Sequence, residues 1–382
     1  MMRNYGVPPL LLVRGRGSRV WDDSGKEYID LIGGIAVNVL GHGHPDLVAA
    51  VTDQLMTIDH TSNLYATEPG LELAERLVEL SGAPIGSRVF FCNSGAEANE
   101  AAFKLTRMTA RTHVVVAAGG FHGRTMGSLA LTAQPAKQDP FRPLPGEVTV
   151  VPYGDVAALD SAVTSDTAAV FLEPIQGENG VIVPPDDYLA AARATCDRAG
   201  ALLVLDEVQT GIGRTGEWFA YQPFGVQPDV VTLAKGLGGG LPIGAMIAFG
   251  DAATLLTPGS HGSTFGGNPV SARAALTVLD VIEREELLAR VLESGARLSR
   301  QLPEQSGGKV RAVRGRGLLL AAELNGVVSS DVDPALRTQG LLANAVAVDA
   351  IRLAPALNIT DEDLDDTVQR WGEAFDNVSV SA

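Results

Sequence analysis

Two short apolar runs, each ending in reactive side chains, constrain this chain more than any other feature. The first, 201–205, ends in Asp206 and Glu207, and the second, 230–234, ends in Lys235 and a glycine-rich loop. Such runs are typical of buried parallel strands, and open α/β sheets bind ligands at the carboxyl ends of their strands. The pattern therefore predicts that an acid and an amine face one ligand site.

The lone lysine predicts a specific chemistry for that site. Few charged residues surround Lys235 in the sequence, so burial could remove its proton and make the amine a nucleophile. Such an amine captures an aldehyde cofactor covalently, and Asp206 could then hold the protonated ring nitrogen of that cofactor. The alternative is a surface lysine beside a flexible loop.

Composition excludes several classes of protein. The 382 residues are 46% hydrophobic and 19% charged, which is typical of an α/β protein of about two domains. A formal net charge of −16 argues against broad binding to nucleic acid or to an anionic membrane. The two cysteines build neither a disulfide framework nor a cysteine-rich zinc site, and no apolar stretch is long enough for a signal peptide or a bilayer span. We therefore expect a cytoplasmic protein.

Helical segments alternate with short apolar runs from about residue 70, which predicts a doubly wound, mostly parallel sheet. A small meander precedes this region, and one long helix, from Val270 to about Gln301, follows it. We predict a large domain over 49–280, a small α+β domain over 281–382, and an N-terminal segment, 1–48, that joins the small domain. The predicted strands are 88–92, 113–117, 148–151, 168–173 and 202–205, and the predicted helices include 71–80, 97–109 and 185–198.

A candidate anion site lies between a predicted strand and helix at Ser94-Gly95-Ala96-Glu97. Ser94 and Glu97 have the spacing of a capping box, and a glycine lets a ligand approach the backbone. The free amides at a helix start suit a phosphate. An ordinary cap without a ligand is the alternative.

Two further loops follow predicted strands. Phe121 could stack on a flat heterocycle, and Arg124 could bind a carboxylate through two parallel hydrogen bonds. A core phenylalanine and a surface arginine are the alternative. Glu178 lies in another such loop and by itself would be a solvated acid.

Three motifs point elsewhere, and each has a simpler explanation. The segment 211–216 fits the letters of a dinucleotide fingerprint but lacks the strand–turn–helix context. The RGRG sequences at 14–17 and 314–317 suggest RNA contact, but in an acidic protein they read as tight turns. The two histidines of 41–45 suggest a metal site, yet no nearby acid or third histidine completes it, so we predict no metal.

Taken in order, these segments resemble the signature of the class III (ω-amino) pyridoxal-phosphate aminotransferases of fold type I. The resemblance covers nearly the whole chain. It rests on 93–100, 121–125, 205–211, 228–236 and 263–269. Within the class, 33–38 and 351–355 resemble the acetylornithine aminotransferases. The related ornithine aminotransferases usually have a tyrosine near the positions of Gly34 and Ile35, and its absence here favours a donor with an acylated α-nitrogen.

The resemblance implies roles around pyridoxal 5'-phosphate. Lys235 would bind the cofactor aldehyde and carry the proton, and Asp206 would pair with the ring nitrogen. Phe121 would stack on the ring. The other cofactor contacts implied are Ser94, Gly95, Ala96, Val208, Gln209 and Thr264, with Thr264 reaching the phosphate of a partner subunit in an obligate homodimer.

It also implies how two substrates share one site. Arg124 would hold the α-carboxylate of N2-acetylornithine, and Ser263 would lie near the substrate. Arg352 would bind a carboxylate of glutamate or 2-oxoglutarate, and Glu178 would neutralise Arg352 while acetylornithine is bound. Asn179 stands where the family usually has threonine, which puts fine substrate preference in doubt.

Several alternatives stay open at this point. Ornithine, succinyl-diaminopimelate or 4-aminobutyrate could be the amine donor within the same class. A pyridoxal-phosphate aminomutase or decarboxylase would need no 2-oxoglutarate, and a non-catalytic scaffold would bind no cofactor through Lys235.

Overall fold

A seven-stranded sheet dominates the computed structural model, which describes residues 2–379. Its strand order is β4-β10-β9-β8-β7-β5-β6, and β10 pairs antiparallel with both β4 and β9, whereas the other pairs are parallel. The doubly wound, mostly parallel sheet expected from the sequence is therefore confirmed. The strands are β4 (Arg88–Cys92), β5 (His113–Ala117), β6 (Glu147–Val151), β7 (Thr167–Leu172), β8 (Leu202–Asp206), β9 (Val230–Leu233) and β10 (Gly244–Ala248).

Burial on both faces explains why the central strands read as continuous apolar runs rather than alternating ones. Every residue of β7, β9 and β10 is buried, and their side chains pack into clusters on the two sides of the sheet. Helices α3 (Glu68–Leu80), α4 (Gly95–Arg107), α7 (Val156–Ala162) and α8 (Tyr188–Ala199) pack against its strands. The other helices of this region are α2 (Pro45–Thr57), α5 (Met126–Leu131) and α6 (Pro135–Gln138), with a short helical turn α1 (Gly33–Ala36) before them.

One predicted helix is two. The expected helix from Val270 to Gln301 divides into α9 (Pro269–Arg284) and α10 (Leu287–Glu304). The break falls at Glu286, whose backbone is left-handed with φ of 52°. Neither glycine nor proline marks this position, so the apolar periodicity on each side concealed it.

Two smaller four-stranded sheets lie outside the main one. The first has the strand order β1-β2-β3-β13, and parallel pairing of β3 with β13 joins the N-terminal meander to the C-terminal part of the chain. The second has the order β11-β12-β15-β14. The domain boundaries at 48 and 280 stay predictions. The elements are β1 (Leu12–Arg16), β2 (Arg19–Asp22), β3 (Glu27–Asp30), β11 (Val310–Arg316), β12 (Leu319–Leu324), α11 (Ser329–Thr338), β13 (Leu341–Leu342), β14 (Asn344–Ala347), β15 (Ala350–Leu353) and α12 (Asp361–Asp376).

The motifs that suggested other functions have structural roles. The first three residues of each RGRG sequence end a strand, β1 or β11, and its last glycine, Gly17 or Gly317, begins the two-residue turn to the next strand. A tight turn therefore does lie at each sequence, although most of the motif is strand. An acid does lie beside the histidine motif, because the His42 ring nitrogen contacts the Asp30 carboxylate at 2.8 Å. Across residues 2–379, no group of three or more His, Cys, Asp or Glu is arranged to hold a metal ion. None of the helices in this part of the chain is long and apolar enough to cross a membrane.

Candidate active site

A cavity of about 380 Å³ opens at the carboxyl ends of β8 and β9. Nine of the residues predicted for the site line it: Ser94, Gly95, Ala96, Phe121, Arg124, Asp206, Val208, Gln209 and Lys235. Glu178 and Arg352 contact Gln209 at its edge. The fold therefore brings together segments that are more than 140 residues apart in the sequence.

Lys235 projects into this cavity from the turn after β9. Its backbone is left-handed, with φ of 44°, a conformation that a side chain other than glycine adopts only at a cost. Burial lowers the pKa of Lys235, the charge of Arg352 lowers it further, and the charges of Glu178, Asp206 and Glu173 oppose that shift. No hydrogen bond or ion pair to its amine occurs among residues 2–379. The amine is thus held ready to act as a nucleophile.

Asp206 is a fixed negative charge on the cavity floor. Its Oδ2 accepts hydrogen bonds from His122 Nδ1 and Asn99 Nδ2, both at 2.7 Å, and its Oδ1 accepts the Val208 amide at 3.0 Å. Burial by itself would lower the pKa of His122, but the hydrogen bond and the charge of Asp206 raise it. With its neighbours fixed, the Asp206 carboxylate is preorganised to face a cationic ring nitrogen.

The sequence interpretation missed His122 and Asn99. Thr232 on β9 donates to the Asn99 amide oxygen at 2.9 Å, so Asn99 links two strands and α4. A signal existed, because Asn99 lies one turn after Gly95, on the helix face that points toward the anion site. His122 lies inside the loop that was singled out for Phe121 and Arg124.

The start of α4, where the sequence predicts an anion site, has amides free to bind a ligand. Ser94 Oγ accepts the Glu97 amide at 3.2 Å, but the Glu97 carboxylate bonds to the Asn93 amide at 2.6 Å rather than to Ser94. In a standard capping box the Glu97 carboxylate would accept the Ser94 amide, and here it accepts the amide one residue earlier. The amides of Gly95 and Ala96 have no acceptor among residues 2–379.

Close packing explains why position 95 is a glycine. A Cβ atom there would lie 2.7 Å from Val208 Cγ1, so the backbone could not pack so closely against the loop after β8. The two free amides consequently stay at the cavity wall, where an anionic group can reach them.

The aromatic wall of the cavity carries two cations. The Arg124 guanidinium carbon lies 5.5 Å from the Phe121 ring centroid, and the Lys137 ammonium lies 5.6 Å from it. Lys137 bonds to the Gln134 side chain. Neither cation has a carboxylate partner within residues 2–379, so Arg124 is available to bind a ligand carboxylate.

The opposite wall holds a buried ion pair. Arg352 Nη1 donates to Glu178 Oε1 at 2.6 Å and to Gln209 Oε1 at 3.1 Å, while its Nη2 donates to Asn344 Oδ1 at 2.7 Å. Burial tends to raise the pKa of Glu178, but the charges of Arg352 and Lys235 lower it overall. The Arg352 charge is thereby neutralised in this conformation.

Gln209, expected to contact the cofactor ring, thus also contacts both members of this pair. Asn179 next to Glu178 is exposed, and its side-chain amide reaches the Gln176 side-chain oxygen only at 3.5 Å.

The segment 263–269 lies apart from the cavity lining. Ser263 Oγ accepts a hydrogen bond from Asn93 Nδ2 at 3.2 Å, and Asn93 does line the cavity. Thr264 is exposed and lines a separate cavity of about 280 Å³ together with His60, Asn63 and Phe91. In a single chain, therefore, Thr264 is not placed at the anion site.

Two buried carboxyl groups received no separate role from the sequence. Burial raises the pKa of both Glu173 and Glu207 to about 7. Glu173 lines the cavity, whereas Glu207 bonds to the Thr210 hydroxyl and the Tyr221 amide away from it. Both stand beside motif residues, but only the tertiary structure shows that they lack a basic partner within residues 2–379.

Known proteins resemble this chain over most of its length. The chain is 62% identical over 365 residues to acetylornithine aminotransferase of Mycobacterium tuberculosis strain H37Rv, covering 96% of this chain and 91% of that protein. It is 59% identical over 363 residues to the protein of the same name from Streptomyces coelicolor, covering 95% and 90%.

Solved structures are similar over nearly the full length. N-acetylornithine aminotransferase of Stenotrophomonas maltophilia has a TM-score of 0.85 at 39% identity, covering 98% of this chain and 97% of that one. Ornithine aminotransferase of Toxoplasma gondii has a TM-score of 0.93 at 34% identity, covering 98% and 92%. The family model for aminotransferase class III matches residues 1–375, and the chain belongs to that family.

Proposed function

We propose that this chain is a pyridoxal-phosphate-dependent aminotransferase that moves the δ-amino group of N2-acetyl-L-ornithine to 2-oxoglutarate. The products are N-acetyl-L-glutamate 5-semialdehyde and L-glutamate, and the reaction serves arginine biosynthesis. The observation that carries the proposal is the pair of unlike arginines around Lys235: Arg124, which has no acidic partner in the described part of the chain, and Arg352, which is neutralised by Glu178. Relatives that share about 60% of the sequence support the choice of donor.

The residues present fit pyridoxal phosphate. The free amides of Gly95 and Ala96 suit its phosphate, the Phe121 ring suits its flat heterocycle, and Asp206 suits its protonated ring nitrogen. Lys235 suits its aldehyde. When bound, the cofactor supplies an electron sink that stabilises negative charge developing on the substrate carbon.

The chain's own residues then have separate tasks. Asp206 keeps the ring nitrogen protonated, with His122 and Asn99 fixing the carboxylate. Lys235 Nζ, whose proton affinity burial has reduced, can take the proton that leaves the substrate carbon and return it within the same cavity. Because that amine has no competing hydrogen bond within residues 2–379, it can move between these positions.

The two arginines let one site accept both substrates. Arg124 can bind the single carboxylate of acetylornithine while Glu178 masks the charge of Arg352. A dicarboxylate offers a second anionic group, which can replace Glu178 at the guanidinium of Arg352. The exchange costs little because a buried guanidinium keeps a charged partner in both states.

A homodimer and a cytoplasmic location complete the proposal. Thr264 lies on an exposed segment with Phe265, away from its own chain's anion site, which fits a role at a partner's phosphate. A large apolar side chain exposed at such a place favours burial against a second copy.

Ornithine is the second candidate donor, favoured by the TM-score of 0.93 to an ornithine aminotransferase. The sequence near Gly34 and Ile35 argues against it, because no tyrosine is present there to meet a free α-amino group. Val37, from the same segment, lines the cavity, so a tyrosine nearby would be close enough to matter.

A spectral titration tests the choice. The purified enzyme, loaded with cofactor, is titrated with N2-acetylornithine and, in parallel, with ornithine, while conversion of the cofactor to its amine form is followed by absorbance. We expect conversion at far lower concentrations of the acetylated compound. Equal or better conversion by ornithine would make ornithine the donor, and no conversion by either would contradict the assignment as an ω-aminotransferase.

A further inference from the structure

The Glu173 carboxyl group is the one buried acid of the cavity lining that the proposed chemistry leaves without a task. It follows β7, is 6% exposed, and pairs with no cation among residues 2–379. Burying a carboxyl group costs free energy of folding unless hydrogen bonds offset the loss of water, so the bonds of Glu173 indicate what holds it there.

Its two oxygens bond to two different loops. Oε2 accepts the Phe121 amide at 2.9 Å, and Oε1 accepts the Gly177 amide at 3.4 Å. The first loop carries Arg124. The second carries Glu178, and the Gly177 carbonyl itself accepts a hydrogen bond from Arg352 at 3.1 Å. One carboxyl group therefore connects the aromatic wall of the cavity to the ion pair on the opposite wall.

Four titratable groups face Glu173 from the surrounding elements. His122 lies on the loop after β5, Asp206 at the end of β8, and Lys235 after β9. Tyr153, after β6, donates its hydroxyl to the Glu173 backbone carbonyl at 2.8 Å. Burial raises the pKa of Glu173 to about 7, the charge of His122 lowers it, and the charge of Asp206 raises it. Its charge state consequently depends on what Asp206 is paired with.

We propose that Glu173 is a positioning residue that couples the two halves of the site: it releases a proton when the cofactor binds and then holds both loops as a carboxylate. A ring cation placed against Asp206 cancels the negative charge that opposes ionisation of Glu173. The ionised group is the stronger acceptor for both amides. Cofactor loading thereby orders the residues that bind substrate carboxylates. This inference rests on the proposed use of pyridoxal phosphate.

The primary test is a proton count on the apoprotein. Pyridoxal phosphate is added at pH 7 in two buffers that differ in ionisation enthalpy, and calorimetry gives the protons released. Wild type should release more protons than Glu173→Gln, since the raised pKa of Glu173 leaves part of this group protonated before the cofactor binds. Equal release by the two proteins would overturn the proposal. Failure of the cofactor to bind at all would instead contradict the proposed function.

A matched variant separates the proton effect from loop loosening. Gln176 Nε2 donates to the Ala118 carbonyl at 2.8 Å, a neutral link between the same two loops. Gln176→Ala should therefore release as many protons as wild type. A reduction in proton release as large as that of Glu173→Gln would assign the release to loop order rather than to Glu173, and the proposal would fail.

Kinetics and infrared spectra provide independent readouts. Glu173→Gln should raise the KM for 2-oxoglutarate about tenfold while kcat changes less than threefold, because the arginines are misplaced but Lys235 is not. A drop in kcat alone would contradict the positioning role. Should the variant not fold, wild type suffices: cofactor loading at pH 7 should remove carbonyl absorption of a protonated carboxyl group, and an unchanged band would overturn the proposal.

Discussion

The floor and the walls of the cavity differ in how firmly their charged groups are held. On the floor, Asp206 has its carboxylate oxygens bonded to His122, Asn99 and a backbone amide, and both side-chain partners are buried. At the walls, Arg124 is exposed and has no acidic partner among residues 2–379, and Arg352 is held by Glu178, which a dicarboxylate would displace in the proposed reaction. The floor is fixed, and the walls can be rearranged.

The difference separates two requirements of the proposed reaction. Chemistry at one carbon benefits from a charge that is already oriented and needs no reorganisation. Recognition of two substrates with different charges needs a site whose own charge can change. Variants in the floor should accordingly reduce the rate for every substrate, whereas variants in the walls should change which substrate is preferred.

Removing the reactive amine should have the largest effect. Lys235→Met should lower turnover with every amine donor by at least roughly 10²–10⁴-fold, because no other lysine lines the cavity among residues 2–379 to move the proton. The apoprotein should melt at an equal or higher temperature, since burial of the Lys235 amine, which lowers its pKa, opposes folding and is removed by the substitution.

Lys26→Met is the matched control for that experiment. Lys26 is exposed and bonds to the carbonyls of Arg337 and Thr338, far from the cavity lining. Its loss should leave turnover unchanged. If Lys235→Met kept more than a tenth of the wild-type rate, the role given to the amine would be wrong.

Breaking the floor charge should have the next largest effect. Asp206→Asn should lower the rate roughly 10²–10³-fold for acetylornithine and glutamate alike. It should also lower the pKa of His122, because the hydrogen bond and the charge that raise it are weakened. NMR titration of the apoprotein measures the second effect, and a rate loss confined to one substrate would contradict the view of a floor common to both.

Breaking the wall should change selectivity rather than rate. Glu178→Gln leaves the Arg352 charge buried and unmasked, so kcat/KM for acetylornithine should fall about tenfold relative to that for glutamate. Asn344→Ala is the control, since it removes a neutral partner of Arg352 without changing charge. A shift of equal size in both variants would show that orientation, not charge, sets the preference.

The smallest predicted effect concerns stability, and it sharpens the contrast with a carboxyl group outside the cavity. Burial gives Glu207 a folded pKa of about 7, against an ordinary value of 4.5. Between these values the folded state binds more protons, so stability should fall as pH rises and become constant above about pH 7. Glu207→Gln should reduce the total loss of unfolding free energy between pH 4.5 and 8 by roughly 1–3 kcal/mol, as measured by urea unfolding. An unchanged slope would reject the assignment.

Residues that end buried strands could be predicted from the sequence, and their partners could not. Asp206 and Lys235 follow apolar runs, and the topology of parallel strands then places them at one edge of the sheet. His122, Asn99 and Glu173 come from other elements, and only packing decides that they converge. The expectation for Thr264 concerns a second copy of the chain, so a single chain shows only that this residue is exposed and lies away from its own anion site.

Local backbone departures were also beyond the sequence. The break at Glu286 uses a left-handed residue that is neither glycine nor asparagine, and tertiary packing has overridden local preference there. The return bond of the α4 cap shows the same limit on a smaller scale. The spacing of Ser94 and Glu97 predicted the pair correctly, but which amide the Glu97 carboxylate reaches depends on the path of the preceding loop.

The pairing of β8 with β9 has a consequence for how such an enzyme can diversify. Asp206 lies opposite Thr232 in this parallel pair, and Thr232 precedes Lys235 by three residues. The sheet itself therefore fixes the spacing of acid and amine. Insertions in the segment 211–225, or exchanges in the loops that carry Arg124 and Glu178, leave that spacing untouched. New donor specificities can therefore arise by mutation of the loops while the inherited chemistry is retained, and a library for altered substrates should spare both strands.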